Sequence, residues 1–525
     1  MKFQRNSMKE KKGKIRLVAL LAATVLLLPS CGKKPIQPDT SEAQKNNKES
    51  AVTTIGAETG YYYDYYFDEA SDRIAASIKY PYMHLSETDR QTYPKLEQAI
   101  TTLMQERKEN AQELYAEAVK AAKETPVEDP DHPPFFDVME TVTVRRADSQ
   151  VFSLILEGSS YTGGPHKQPY TVGVAFDPET GERLKLTDVA THEGLLKDSV
   201  KEQLEAFWNK DELYEDLNLD KFFAEKDWNV AWVLDYHGLS IYFQPYDIAP
   251  YASGVQNVTI PFASHPELVK EEYRIVPESY GIEFTAEKPF FFDMDGDGET
   301  DSLTVSAAKG EYDNYEKQSV TLNGEKFEED TGIYLIEPML MHTSDGKNYL
   351  YIGQQYPDDF WAFEVFDLSK GSIKKVDTVY SERHNIVDYE KDYYARQVLT
   401  DPNSFVLDTY TQMLGTAYGY DSYHVGTDGL PVQEHDWHMI CFETELTLRK
   451  DLTVSVVSED GKTTGTTKLK TGDKALYYRT DGENWADLKL SDGRIVRVNL
   501  KHGDGEWTLD GINLEEVFEG IVFGG

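Results

Sequence analysis

The chain has 525 residues, two cysteines and a formal charge of −39. Such acidity excludes nucleic acid as a partner, because phosphate contacts need lysine and arginine. It serves solubility, or it steers a cationic protein toward the surface. The length leaves room for roughly two to four domains.

Lys2, Arg5, Lys9, Lys11, Lys12, Lys14 and Arg16 precede an apolar run over 17–28. The run is too short to span a bilayer, which takes about 20 apolar residues, but it suits the core of a signal peptide. It closes on Leu28, Pro29, Ser30, Cys31 and Gly32, which resembles the bacterial lipobox, with Pro29 a departure from the usual small residue. The resemblance implies a signal peptide over 1–30. Cys31 then becomes the acylated, palmitate-bearing first residue of a lipoprotein held on the extracytoplasmic face of the cell membrane. The alternative is an ordinary secretory signal with an incidental cysteine. An acylated Cys31 cannot pair with Cys441, so no internal disulfide is expected, and a large core can do without one.

Residues 31–60 are polar and nearly free of aromatics, the composition of a disordered tether. Folding is expected from Tyr61, at the head of a run including Tyr62, Tyr63, Tyr65, Tyr66 and Phe67. Such a run either faces solvent and stacks on sugar rings or lies buried in a sheet; strand preference favours the second. Leu96, Ile100, Leu103, Met104, Leu114, Tyr115 and Ala118 recur at helical spacing and predict a long amphipathic helix over 92–123. The proline-rich, acidic stretch 124–134 stops it. Strands follow over 141–145, 151–156 and 170–176. Leu196, Val200, Leu204, Phe207 and Trp208 then mark a second helix. The segments 232–236 and 239–243 read as a hairpin turning at His237 and Gly238. The expectation is an α+β module over 61–275, an antiparallel sheet with two helices on one face.

Three signatures in this stretch stand in a familiar order: Tyr161-Thr162-Gly163-Gly164-Pro165-His166, the segment 176–186 with Asp177-Pro178-Glu179-Thr180-Gly181, and the segment 243–254 from Phe243 to Gly254. Together they resemble the extracellular domain of the lysozyme-sensing anti-sigma-V factor, a module that also precedes the catalytic domain of some peptidoglycan deacetylases. The resemblance covers about 61–273 and implies a lysozyme-binding role. An anti-sigma factor needs a cytoplasmic domain and a full transmembrane helix, and the short basic segment before residue 17 supplies neither. What the resemblance carries over is therefore recognition alone.

Candidate binding residues lie in two loops. Tyr161 and His166 flank a Gly-Gly-Pro connection in which glycine supplies positive φ. Tyr246, Asp247 and Tyr251 belong to a proline-rich aromatic loop of the kind that suits binding at low entropic cost; a loop packed only to close the sheet is the equal alternative. A β-rich region over 280–440 opens with Asp293, Asp295, Asp297, Glu299 and Asp301. Carboxylates at alternate positions around Gly296 fit a Ca²⁺ loop between strands, with Glu299 giving its carbonyl. An EF-hand would have glutamate where Thr304 stands.

From 444 to 525, short strands punctuated by Asp-Gly turns resemble a bacterial SH3-like barrel, followed by a final helix starting at Asn513. The stretch 318–441 carries no assignable constellation and no catalytic signature. The expected function is a cell-surface recognition or accessory lipoprotein for a cationic, lysozyme-type protein or for peptidoglycan. The alternative is a hydrolase with its site in 318–441.

Overall fold

A computed structural model describes residues 51–129, 131–208, 213–226, 229–310, 314–357, 360–388, 393–503 and 505–523. Cys31 and most of the expected tether lie outside them. No described helix is long and apolar enough to cross a membrane. The fold begins ahead of Tyr61: Ile55 is fully buried and its amide donates to Ala147 O at 2.8 Å.

The first sheet has seven strands, in the order Asn385–Asp388, Tyr393–Val398, Ala57–Asp68, Arg73–Leu85, Phe136–Ala147, Phe152–Tyr161 and Gln168–Phe176. All neighbours are antiparallel except Arg73–Leu85 with Phe136–Ala147. That parallel step needs a crossover, and the long helix Pro94–Glu124 supplies it. Its N-terminal half buries Leu96, Ile100, Leu103 and Met104. The C-terminal half buries only Ala111, Ala118 and Ala122, which lets the helix lie close against Tyr80 and Phe136. Arg107 pins helix to sheet through Glu140, which also accepts from the Tyr170 hydroxyl at 2.8 Å.

The second helix, Glu193–Phe207, does not share that face. Leu196, Val200 and Leu204 pack instead with Trp232, Leu239, Ile241, Phe243 and Ile260 of a separate three-stranded sheet, Ala231–Leu234, Gly238–Phe243 and Gln256–Pro261. The single-sheet layout expected from the sequence is thus replaced by two sheets with one helical layer each. Two buried arginines tie the first sheet to the segments that follow it. Arg145 meets Asp235 at 2.8 Å. Arg146, fully buried, meets Asp148 at 2.7 Å and donates to Tyr273 O at 2.6 Å and Ile275 O at 2.9 Å.

Downstream, a four-stranded sheet (Phe290–Phe292, Asp301–Lys309, Tyr315–Leu322, Glu325–Ile333) and a five-stranded one (Lys374–Val379, Trp361–Asp367, Asn348–Gln355, Leu335–His342, Tyr280–Glu283) share a core that includes Phe290, Phe292, Leu303, Leu350 and Phe366. The last large sheet is open. Its strand His438–Leu448 pairs with Ala417–Val425 through Gly419 and Tyr420, and with Lys474–Thr480 through Thr480 to Lys474. A register irregularity between Met439 and Thr444 lets one long strand serve both neighbours. The expected closed barrel over 444–525 therefore becomes part of an eleven-stranded open sheet. The expected final helix shrinks to one turn, Leu514–Val517, capped by Asn513. Phe518 then turns extended to pair with Leu448, and that pairing ends it.

Candidate functional site

A cavity of about 600 Å³ lies where the first sheet meets the five-stranded sheet. Strand alternation builds one wall. Tyr62 stacks on Tyr80, which belongs to the cluster under the long helix, at 4.9 Å between rings. Tyr61 and Tyr63 take the other face, with the Lys79 ammonium 4.1 Å from the Tyr61 ring and 5.4 Å from the Tyr63 ring. The row continues outward: Tyr63 is 63 % and Tyr65 58 % exposed. The solvent-facing reading of the aromatic run holds for these positions, against the buried strand that preference alone favours.

The opposite wall carries charge. Glu283 and Glu337, on neighbouring strands of the five-stranded sheet, share one guanidinium, that of Arg383; the contact to Glu337 is 2.8 Å. Burial pushes the Glu283 carboxyl above its ordinary range, only partly offset by Arg383. Burial acts on Glu337 too, but Arg383 and Arg396 outweigh it and hold that carboxyl low. Arg396 also lies 4.1 Å over the Trp361 ring. Lys79 differs from both arginines, since among the described residues it forms no ion pair. Burial lowers its pKa, with Glu337 pulling the other way.

The strand holding Tyr394 and Arg396 is set by close backbone approach. Tyr82 Oη accepts from Tyr394 N at 2.9 Å and donates to Tyr394 O. A Cβ on Gly60 would stand 2.3 Å from the Tyr82 ring and 2.4 Å from Tyr394 O, so only glycine fits there. None of these cavity residues stands out in sequence. Lys79, Glu283, Glu337, Trp361, Arg383 and Arg396 are scattered over more than half the chain and converge only through sheet pairing.

The two candidate loops do meet. The His166 ring stacks on Tyr251 at 3.9 Å, and the Tyr251 hydroxyl donates to Lys167 O at 2.7 Å. Tyr246 lies 5.9 Å from Tyr251, 58 % exposed and at φ +75°. Gly163 and Gly164 have φ of +114° and +108°, as the turn demands. Two expected contributors serve the scaffold instead. Tyr161 stacks on Phe136 and donates to Gly164 O. Asp247 accepts from Gln244 N at 2.8 Å and pairs with Lys226 at 2.9 Å.

In the acidic turn, Asp293, Asp295 and Asp297 bring carboxylate oxygens within 4.8 Å of one another. Asp293 accepts from the amides of Gly296 and Gly298, and Asp297 from that of Glu299. Asp301 braces the turn, accepting from Met294 N at 2.7 Å and Asn323 Nδ2 at 2.5 Å. Burial raises its carboxyl, and those hydrogen bonds work against the rise.

Residues 187–263 match the model of a family described as a protein of unknown function, DUF3298. Among solved structures, the chain is similar to a member of that family from Bacteroides fragilis, at 18% identity and a TM-score of 0.30, over 42% of this chain and 96% of that one. A DUF3298 family protein from Pseudomonas aeruginosa is similar at 16% identity and a TM-score of 0.30, over 43% and 98%. No curated protein gives a significant match.

Proposed function

We propose that this is an extracytoplasmic lipoprotein, anchored through Cys31, that recognises a cell-wall glycan carrying free carboxylates, such as a peptidoglycan fragment, without cleaving it. The observation that carries this is Lys79, a cation with no carboxylate partner among the described residues, held between two tyrosine rings at the wall of a 600 Å³ cavity. Rings offer apolar faces, and a few convergent polar groups fix orientation. The cavity's size suits two or three sugar-sized units better than a protein surface. Glu283 and Glu337 have the divergent proton affinities of an acid–base pair, which favours the hydrolase alternative. Yet both are tied to the same guanidinium, which holds them as a structural bridge and supports recognition.

Titrating the full chain with soluble disaccharide-peptide tests this. Lys79→Met and Trp361→Ala should each weaken binding about tenfold, the scale of one partly buried cation–π contact. Binding that survives both changes, or release of shorter sugars from the fragment, sinks the reading.

A second reading rests on the His166–Tyr251–Tyr246 ring cluster, and on the resemblance of that region to the lysozyme-sensing domain. It predicts lysozyme binding that Tyr246→Ala with Tyr251→Ala abolishes. A control protein of equal positive charge must bind less. The turn at Asp293, Asp295 and Asp297 has a donor set suited to Ca²⁺. Calcium should therefore raise the melting temperature, and Asp295→Ala should remove most of the rise.

A further inference from the structure

Away from the cavity, strand pairing gathers a different set of side chains on one face of the eleven-stranded sheet. Glu382 lies directly opposite Asp408, Asp408 opposite Tyr420, and Tyr420 opposite Met439. Directly opposed residues point to the same side, and side chains two apart on a strand do as well. Alternation therefore brings His384, two residues beyond Glu382, and Cys441, two beyond Met439, to that same face. It sends Arg383 the other way, into the cavity. The contacts agree. His384 Nδ1 lies 2.6 Å from Asp408 Oδ1, Cys441 Sγ lies 3.9 Å from the same oxygen, and the His384 ring tilts against Tyr420 at 4.8 Å. One ligand atom from each of His384, Asp408 and Cys441 falls within 4.8 Å of the others.

Two features ask for a cation here. Glu382 and Asp408 are two carboxyl groups on one rung of an antiparallel pair, where like charges destabilise a sheet and a cation between them would stabilise it. Asp408 is 2 % exposed, and among the described residues its carboxylate meets only His384, Asn385 and the thiol, none of them a permanent cation. Arg396 acts on Glu382 only at longer range. The donor types narrow the choice. A thiol beside an imidazole excludes the hard cations Ca²⁺ and Mg²⁺, which take oxygen ligands, and selects a borderline-soft ion of the zinc type. In a tetrahedral zinc site, nitrogen and oxygen ligands stand about 3.3 Å apart and sulfur and oxygen about 3.5 Å. The nitrogen–oxygen separation of 2.6 Å and the sulfur–oxygen separation of 3.9 Å lie within about 1 Å of those values.

We propose that His384, Asp408 and Cys441 form a Zn²⁺-class transition-metal site, with Glu382 adding negative charge at its edge. On binding, Cys441 gives its proton to solvent and ligates as thiolate, and His384 exchanges its hydrogen bond to Asp408 for coordination.

Co²⁺ titration of the full chain tests the site, because thiolate ligation gives a near-ultraviolet charge-transfer band that oxygen ligands do not. One equivalent should produce the band. The isosteric Cys441→Ser should abolish it, while Cys31→Ala and Asp295→Ala leave it intact. His384→Ala should weaken affinity about tenfold or more. Zn²⁺ should also slow alkylation of Cys441, and that protection should disappear in Asp408→Asn. Absence of the band, or its persistence in Cys441→Ser, overturns the proposal, as does equal alkylation with and without zinc.

Discussion

Among the described residues Arg146 and Arg479 are the two largest fully buried side chains, and each is held the same way, by one aspartate and two backbone carbonyls. Arg146 uses Asp148, Tyr273 O and Ile275 O; Arg479 uses Asp487, Glu459 O and Ser458 O. The difference lies in reach and redundancy. The carbonyls on Arg146 come from a segment 127 and 129 residues away, and among the described residues Asp148 has no second arginine. Those on Arg479 are 20 and 21 residues away, and Asp487 is also gripped by Arg497 at 2.7 and 2.9 Å. One clamp closes a long loop and has no backup. The other trims a local turn and is duplicated.

Removing one partner of a buried ion pair leaves an uncompensated charge and costs about 3–5 kcal/mol. Arg146→Ala should therefore lower unfolding free energy by that amount, and protease should cut first near 270–276. Intact resistance there would break the contrast. Acid provides the next test. His237, buried beside the Arg145–Asp235 pair and packed on Phe292 at 4.4 Å, has its pKa drawn down by burial from 6.5 to about 4. The unfolded imidazole takes a proton that the folded one refuses. Stability is therefore full above pH 6.5 and falls by about 3 kcal/mol as pH drops toward 4. Urea denaturation at the two ends should show this in the native chain and lose it in His237→Gln; identical slopes would remove the assignment. The smallest loss is expected for Arg479→Ala, about 1–3 kcal/mol, because Asp487 keeps Arg497 and mainly two carbonyls go unpaired. A loss equal to that of Arg146→Ala would mean that redundancy of partners is not what separates the clamps.

How much of this could be read from residue order follows from how locally each feature is encoded. The long helix is periodic over its whole length and was legible to within two residues. The acidic turn is contiguous, so three of its carboxylates converge where spacing placed them, while Asp301 turns out to brace the turn. The placement of the second helix was not legible, since Leu196, Val200 and Leu204 give a face but not the sheet that receives it. The open final sheet was hidden for a related reason. Asp-Gly turns mark hairpins, yet only pairing of His438–Leu448 with Ala417–Val425 shows that those hairpins continue an existing sheet. The cavity and the His384–Asp408–Cys441 cluster depend on rungs between distant strands, and no local pattern encodes a rung.

The pairing of Ala57–Gly60 with Ala395–Val398 has a consequence for how the chain is made. A chain emerges from the ribosome N-terminus first, and Tyr82 must wait for a backbone partner 312 positions later. Until then Ala57–Gly60 presents an unpaired edge, a template for pairing with another chain. The Tyr393–Val398 strand can cover that edge only once most of the polypeptide has been made. A fragment cut at residue 275 would keep that edge permanently open.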